Sequence, residues 1–214
     1  MAMEINLEKY KGKNIHVVGI AGAEGSAIAE FLVSKGITSV TGHDFSATHE
    51  EFEKNFNNTH LSLKGEERAA ALKHLRELPI RMNLRKDYLL GIEDAEVVFV
   101  SQVWFKYGAN APLQELFGRG AEFKTITNLY FEFAQCPIIS VTGTNGKTTT
   151  SNLLKSIFVL WGKEDAPGKF YFAGNDRQNV QVLDRLEEMT PQDVLLLETS
   201  STQLVLNSEI SPHI

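Results

Sequence analysis

Two kinds of apolar pattern alternate along the chain. Near-continuous aliphatic and β-branched runs at residues 14–20, 95–101, 137–141 and 193–198 predict strands buried on both faces. Shorter extended segments are expected at 39–43, 122–126 and 168–175. Between them lie stretches with helical periodicity. Residues 27–34 predict a helix ended by Gly36, and residues 65–78 a helix with apolar positions at Ala69, Leu72, Leu75 and Leu78, stopped by Pro79. Further helices are expected at 112–117, at 129–134, and from Lys147 through 151–160, with Leu153, Leu154, Ile157, Phe158 and Leu160 as its apolar positions. Residues 46–58 are polar apart from Phe52 and Phe56, and 81–86 read as a loop. Strands alternating with helices give an α/β fold with parallel sheet.

Composition narrows the class without naming a function. The 214 residues are 43% hydrophobic and 22% charged, enough apolar material for a substantial core and unlike a disordered chain. A formal net charge of −6 argues against nucleic acid or an anionic membrane as partner. No apolar run approaches the roughly 20 residues of a bilayer span, and the polar N-terminus does not read as a signal peptide. The single Cys136, before an apolar strand, reads as a buried structural thiol in a reducing compartment. The expected location is cytoplasmic. The six histidines show no metal-ligand spacing.

Two glycine-containing turns carry candidate chemistry. After the run ending at Val141 come Thr142-Gly143-Thr144-Asn145-Gly146-Lys147-Thr148-Thr149, then a helix. Small residues there let backbone N–H groups converge on an anion in front of a helix N-terminus. Lys147 would neutralise β/γ-phosphates and the Thr148 hydroxyl would coordinate Mg²⁺, although Val141 stands where the strict phosphate-loop pattern has its first glycine. An ordinary capped turn is the alternative. Glu198 ends a run of four apolar residues, the position at which a parallel sheet delivers an acid to a ligand, here to Mg²⁺. The other turn follows residues 14–20, with Asp44 at the end of the next strand, as in a dinucleotide fold. Its fingerprint is broken: counted from Gly19, the second and third glycines are Ala21 and Glu24. A packing turn and a ligand site both remain open. Arg81, Arg85 and Lys86 are expected at the surface, and Trp104, Phe105 and Tyr107 in the core rather than stacked on a base.

The segment Val141-Thr142-Gly143-Thr144-Asn145-Gly146-Lys147-Thr148-Thr149 resembles the phosphate loop of the Mur ligases, ATP-dependent ligases of peptidoglycan-precursor synthesis that share the missing first glycine. Folylpolyglutamate synthases and cyanophycin synthetases carry similar loops. Glu198-Thr199-Ser200-Ser201-Thr202-Gln203-Leu204 is similar to the Glu-x-Ser-Ser-x-Gln-Leu segment of the D-glutamate-adding branch, whose glutamate holds magnesium. The resemblance implies a Rossmann-like UDP-sugar-binding domain at 1–130 and an incomplete phosphate-loop ATP-binding domain at 137–214. It further implies ATP held by Gly143, Thr144, Asn145, Gly146, Lys147, Thr148 and Thr149, with Mg²⁺ on Thr148 and Glu198. Lys147 and Glu198 become the catalytic pair. Gly22, Ala23, Asp44, Asn175 and Gln203 become substrate residues, and Lys11, Gly12, Lys13, Asn14, Gly19 and Ser26 look like the same first domain. The partners implied are a UDP-N-acetylmuramoyl compound and an amino acid, joined as an amide through an acyl phosphate.

Departures from the pattern are visible too. Ser101 is followed by Gln102-Val103 where the D-glutamate-adding enzymes usually end this strand in a Ser-Pro-Gly turn, and Asp176-Arg177 replace the usual Ile-Gly after Asn175. The family's C-terminal domain has no counterpart, so the chain reads as an N-terminal fragment, inactive alone and open to self-association through uncovered apolar surface. Alternatives are a UDP-sugar-binding module with an inert ATPase part, a folylpolyglutamate-synthase-like ligase, and an unrelated phosphate-loop kinase or switch.

Overall fold

The computed structural model describes residues 5–161, 168–174, 180–207 and 211–214. The chain divides into two compact units, residues 6–126 and residues 127–214 with Ile5. Both are α/β with parallel sheets.

The first unit runs β1 (Ile15–Val18), α1 (Ala23–Ser34), β2 (Val40–Asp44), α2 (His49–Thr59), α3 (Gly65–Glu77), β3 (Arg81–Leu84), β4 (Val97–Phe99), α4 (Ala111–Gly118) and β5 (Glu122–Lys124). Its five strands lie in the order β3-β2-β1-β4-β5, every neighbouring pair parallel. The central strands are buried on both faces, which is why they read as unbroken apolar runs: Ile15, Val17, Val97, Val98 and Phe99 are fully inside. Ile20, Ala29, Phe52, Phe56, Leu72 and Leu75 form a further buried cluster that packs α1, α2 and α3 together.

Several expectations need correction. The polar stretch 46–58 is largely the helix α2, capped by Thr48, whose hydroxyl accepts from the Glu51 amide at 3.1 Å while Glu51 Oε2 accepts from Ala47 N at 2.7 Å. Phe52 and Phe56, one turn apart, are the only apolar residues it needs to dock. Residues 81–84 are the edge strand β3 rather than loop, paired with β2 from Thr41↔Arg81 to Asp44↔Leu84. Of the aromatic trio, Trp104 is buried against Phe123 and Phe117, but Phe105 and Tyr107 are exposed. The β3-to-β4 connection, residues 85–96, contains no α-helix, only a short turn at Ile92–Asp94; it covers the sheet with Tyr88, Leu89 and Ile92, all buried.

The second unit holds α5 (Ile126–Phe133, which begins at the unit boundary), β6 (Ile138–Val141), α6 (Lys147–Trp161), β7 (Phe170–Ala173), β8 (Val194–Glu198) and α7 (Ser201–Val205). The strand order is β6-β8-β7, all parallel. Ile214 lies along the other edge of β6, donating to Ile138 O at 3.3 Å and accepting from Ser140 N at 2.9 Å. Leu195, Leu196 and Leu197 form the centre of this core. Cys136 is buried beside Met189, its Sγ 3.7 Å from the thioether sulfur, and burial pushes its thiol up to about 11, as befits a structural residue.

Candidate functional site

In the second unit the register of two adjacent strands assembles the site. Val141 ends β6 opposite Glu198 at the end of β8, and the Thr199 amide donates to Val141 O at 3.0 Å. The loop after β6 and the acid after β8 therefore emerge side by side at the C-terminal edge of the sheet. Gly143 and Gly146 adopt φ of 147° and 80°, the second in the left-handed region where a side chain is strained, so the loop turns sharply into α6. Lys147 opens that helix and its Nζ donates to Gly143 O at 2.6 Å, holding the ammonium over the loop. Thr144, Asn145, Gly146, Thr148 and Thr149 are exposed around the positive end of the helix dipole.

Glu198 is 6% exposed. Its Oε1 accepts from the Thr148 hydroxyl at 2.9 Å, while Oε2 is buried with no hydrogen-bond partner among the described residues. A buried, half-satisfied carboxylate joined to a hydroxyl beside a glycine loop at a helix N-terminus is a donor set suited to a hard cation such as Mg²⁺. Three hydroxyls that the sequence reading did not single out neighbour Thr148 or Glu198 along the chain or across the strand pair. Ser140 and Thr199 hydroxyls meet at 2.7 Å across β6 and β8, and the buried Ser151 hydroxyl, one turn beyond Thr148, has no partner among the described residues. Gln203 is buried and closes a capping box: its Oε1 accepts from Ser200 N at 2.8 Å, and its own amide donates to Ser200 Oγ at 3.2 Å. Its observed contacts fix the turn that follows Glu198. Asn175 lies outside the described residues.

In the first unit the C-terminal edge carries the other candidates. The working glycines are Gly19, Gly22 and Gly25, a spacing missed when the fingerprint was counted through Ala21 and Glu24. Gly19 has φ 81°, Gly22 N donates to Gly19 O at 2.9 Å, and a Cβ on Gly25 would stand 2.3 Å from Gly19 O, so α1 can approach the turn only without a side chain there. Gly22 and Ala23 start the helix at that edge. Asp44 is 3% exposed and its oxygens are engaged: Oδ2 accepts from Ala21 N at 3.2 Å, and Oδ1 from Ser46 N at 3.1 Å and the Ser46 hydroxyl. It clips the glycine turn to the end of β2. Ser26, by contrast, turns its hydroxyl inward to His60 Nε2 at 2.9 Å, where burial holds the imidazole below its ordinary value. Lys11 and Lys13 precede β1 and so sit at the opposite edge, Lys13 pairing with Glu122 at 3.4 Å. Arg81 likewise begins β3, whereas Arg85 and Lys86 follow its C-terminal end, on the same edge as Asp44.

A groove of about 730 Å³ beside α2 and α3 is lined by Glu53, Arg68, Lys73, Arg76 and Glu77. Arg76 pairs with Glu53 at 3.3 Å and Lys73 with Glu77 at 3.8 Å, while Arg68 is spent on the backbone carbonyls of Leu63 and Asn57. Among the described residues no helix is long and apolar enough to cross a membrane, and no cluster of three His, Cys, Asp or Glu side chains could hold a metal ion.

Comparison with known proteins adds an independent line. Residues 141–213, the stretch from the end of β6 through the C-terminal segment, match the Mur ligase middle domain. The chain is 30% identical over 209 residues to the UDP-N-acetylmuramoylalanine--D-glutamate ligase of Caldanaerobacter subterraneus subsp. tengcongensis, which covers 96% of this chain and 40% of the relative. It is 28% identical over 211 residues to the enzyme of the same name from Pelotomaculum thermopropionicum, covering 97% of this chain and 40% of the relative. A segment of 90 residues, 42% of this chain and 18% of the relative, is 38% identical to the Enterococcus hirae enzyme of that name. The chain thus spans about 40% of the length of the two relatives it matches end to end. The loop and the acid it abuts fall within a match to the Mur ligase middle domain, and relatives of one kind align along nearly the whole chain.

Proposed function

We propose that the chain is the nucleotide-handling and substrate-handling part of an ATP-dependent ligase that joins the carboxylate of a UDP-N-acetylmuramoyl compound to an amino acid, D-glutamate in particular. Residues 1–130 would form a Rossmann-like UDP-sugar-binding domain and residues 137–214 the phosphate-loop ATP-binding part. The observation that carries the proposal is the contact of Thr148 with the half-satisfied, buried Glu198 at the mouth of the 143–146 loop. The names of the relatives supply the substrates.

In this reading the amides of residues 143–146 and the N-terminus of α6 bind the phosphates, and Thr144, Asn145 and Thr149 line their path. Lys147, now bonded to Gly143 O, swings its ammonium onto the transferred phosphoryl group and stabilises the charge that develops there. Thr148 and Glu198 would hold Mg²⁺, which neutralises phosphate charge when bound. Asp44 acts through the turn it clips, presenting Gly22 and Ala23 to the uridine diphosphate end, and Gln203 acts by holding the turn beside Glu198. Asn175 is retained as a substrate residue from the family pattern. The setting would be the cytoplasm, where ATP and the UDP-linked precursor are available. The exposed stripe Leu153, Ile157 and Leu160 on α6 motivates a further expectation of self-association, which sedimentation across a concentration range tests.

The test is calorimetric titration with UDP-N-acetylmuramoyl-L-alanine, with UDP as reference, followed by MgATP. Binding tighter than UDP supports the precursor site. No response to either uridine ligand, with MgATP binding retained, would leave a phosphate-loop protein of another specificity.

A further inference from the structure

Beyond the proposed ligase site, the first unit holds a buried pair of histidines that this function leaves unused. His16 on β1 is 5% exposed and His43 on β2 is fully buried. His16 Nδ1 lies 2.8 Å from His43 Nε2, the ring planes 19° apart. The outer nitrogens face the connection between β3 and β4, which has no α-helix: His43 Nδ1 meets the carbonyl oxygen of Tyr88, and His16 Nε2 stands 3.1 Å from Asp94 Oδ1.

Hydrogen counting fixes the roles. A carbonyl only accepts, so His43 carries its proton on Nδ1 and, when neutral, offers a lone pair at Nε2. His16 must then carry a proton on Nδ1 to bridge the rings. A neutral His16 has none left for Nε2, which would set a lone pair against the Asp94 carboxylate. One added proton on Nε2 satisfies the whole row, from Tyr88 through both rings to Asp94. A second, on His43 Nε2, would oppose the His16 N–H and break the bridge.

We propose that His16 and His43 form a one-proton latch on the 85–96 connection: the Asp94 end is engaged when the pair carries a single added proton and released when it carries none, while the Tyr88 end stays fastened. The charged groups facing the pair are Asp94, 65% exposed on its turn, and Arg81 at the start of β3. Burial foremost, then His43 and Arg81, pull His16 down to about 4 against the upward pull of Asp94; burial likewise lowers His43. The latch is therefore open near neutrality and closes on acidification. The Tyr88 end is anchored a second time, because its hydroxyl donates to Asn110 Oδ1 and Asn110 Nδ2 donates to Trp104 O at 2.6 Å, so the change is confined to the Asp94 end.

The experiment is nitrogen-15 NMR of the imidazoles in the whole chain from pH 8 to pH 3.5, with the backbone amides of residues 86–96 followed in parallel. The expected result is an Nδ1–H tautomer of His43 throughout, one protonation step at His16, and amide shifts of 86–96 that track that step. In Asp94→Asn an amide N–H can donate to the bare Nε2, so the amide shifts should lose their pH dependence and the His16 step should move to lower pH. Arg81→Gln, at an exposed position, should move it to higher pH. An Nε2–H tautomer of His43 at neutral pH, or 86–96 amides indifferent to the His16 step, overturns the latch.

Discussion

Replacing Glu198 by Gln separates its cost to the fold from its proposed service to a cation. The carboxylate is 6% exposed, one oxygen bonded to Thr148 and the other unpartnered among the described residues. Burying an unsatisfied polar atom costs about 1–3 kcal/mol, more when it is charged. Glutamine keeps the acceptor for Thr148 and removes the charge, but puts an equally unpartnered amide nitrogen in place of Oε2. The gain should therefore fall at the low end, about 1 kcal/mol, or a rise of roughly 2–4 °C in midpoint for a chain of this size. With MgATP at 100 times its dissociation constant the wild type gains about 2.7 kcal/mol. If loss of the anionic ligand weakens binding ~100-fold, the variant gains only about 0.4 kcal/mol at the same concentration. The order of stability should thus invert: the variant melts higher without ligand, and the wild type leads by roughly 1.3 kcal/mol with it. Differential scanning calorimetry with and without MgATP reads both halves. A variant that melts lower without ligand would show that Oε2 is well solvated or paired, and equal stabilisation of both proteins by MgATP would remove Glu198 from the proposed metal site.

Other outcomes follow from particular contacts. Gly25→Ala drives a Cβ into the backbone of Gly19 and should cost about 1–3 kcal/mol in urea unfolding, whereas Gly42→Ala meets side-chain atoms of Ile20, nearest its terminal Cδ1, and should cost less; equal losses would refute the close-packing role of Gly25. Because the Cys136 thiol is raised to about 11 in the folded state from an ordinary 9, its contribution is fully present below pH 9 and declines as pH rises toward 11; urea midpoints of wild type and Cys136→Ser across that range should diverge most at low pH. Asp44→Ala strands the Ala21 and Ser46 amides and should lower the melting temperature as well as uridine-ligand binding, whereas loss of binding at unchanged stability would make Asp44 a direct contact.

The elements that pack on both faces were the most legible in sequence. Residues 95–101 and 193–198 announce buried strands because a parallel sheet covered by helices tolerates nothing polar in its middle, and the loop before Lys147 declares its turn through Gly143 and Gly146. Less visible were elements that lean on few apolar contacts. Helix α2 docks through Phe52 and Phe56 alone, and its clearest signal is the Thr48-to-Glu51 cap rather than hydrophobicity. Strand β3 lies at a sheet edge, where Arg81 and Asn83 are compatible with pairing on one side only, so composition resembles a loop. At the candidate sites, residue types suggested which side chains matter but not what they touch. Asp44 and Gln203 read as substrate contacts, yet their visible bonds run to Ala21, Ser46 and Ser200, partners that only the folded chain brings to them.

The pairing of Val141 with Glu198 has a consequence for how such a site can vary through descent. Loop and acid are neighbours because two adjacent strands end level, so the coordinates of the site are stored as a strand register and not as a distance along the chain. Insertions or deletions between α6 and β8 can accumulate without moving Thr148 from Glu198. A single residue gained or lost inside β8 would instead rotate the carboxylate to the other face of the sheet and erase the site while leaving the composition of the strand almost unchanged. Drift should therefore be wide in the connecting segment and narrow in the lengths of two short strands.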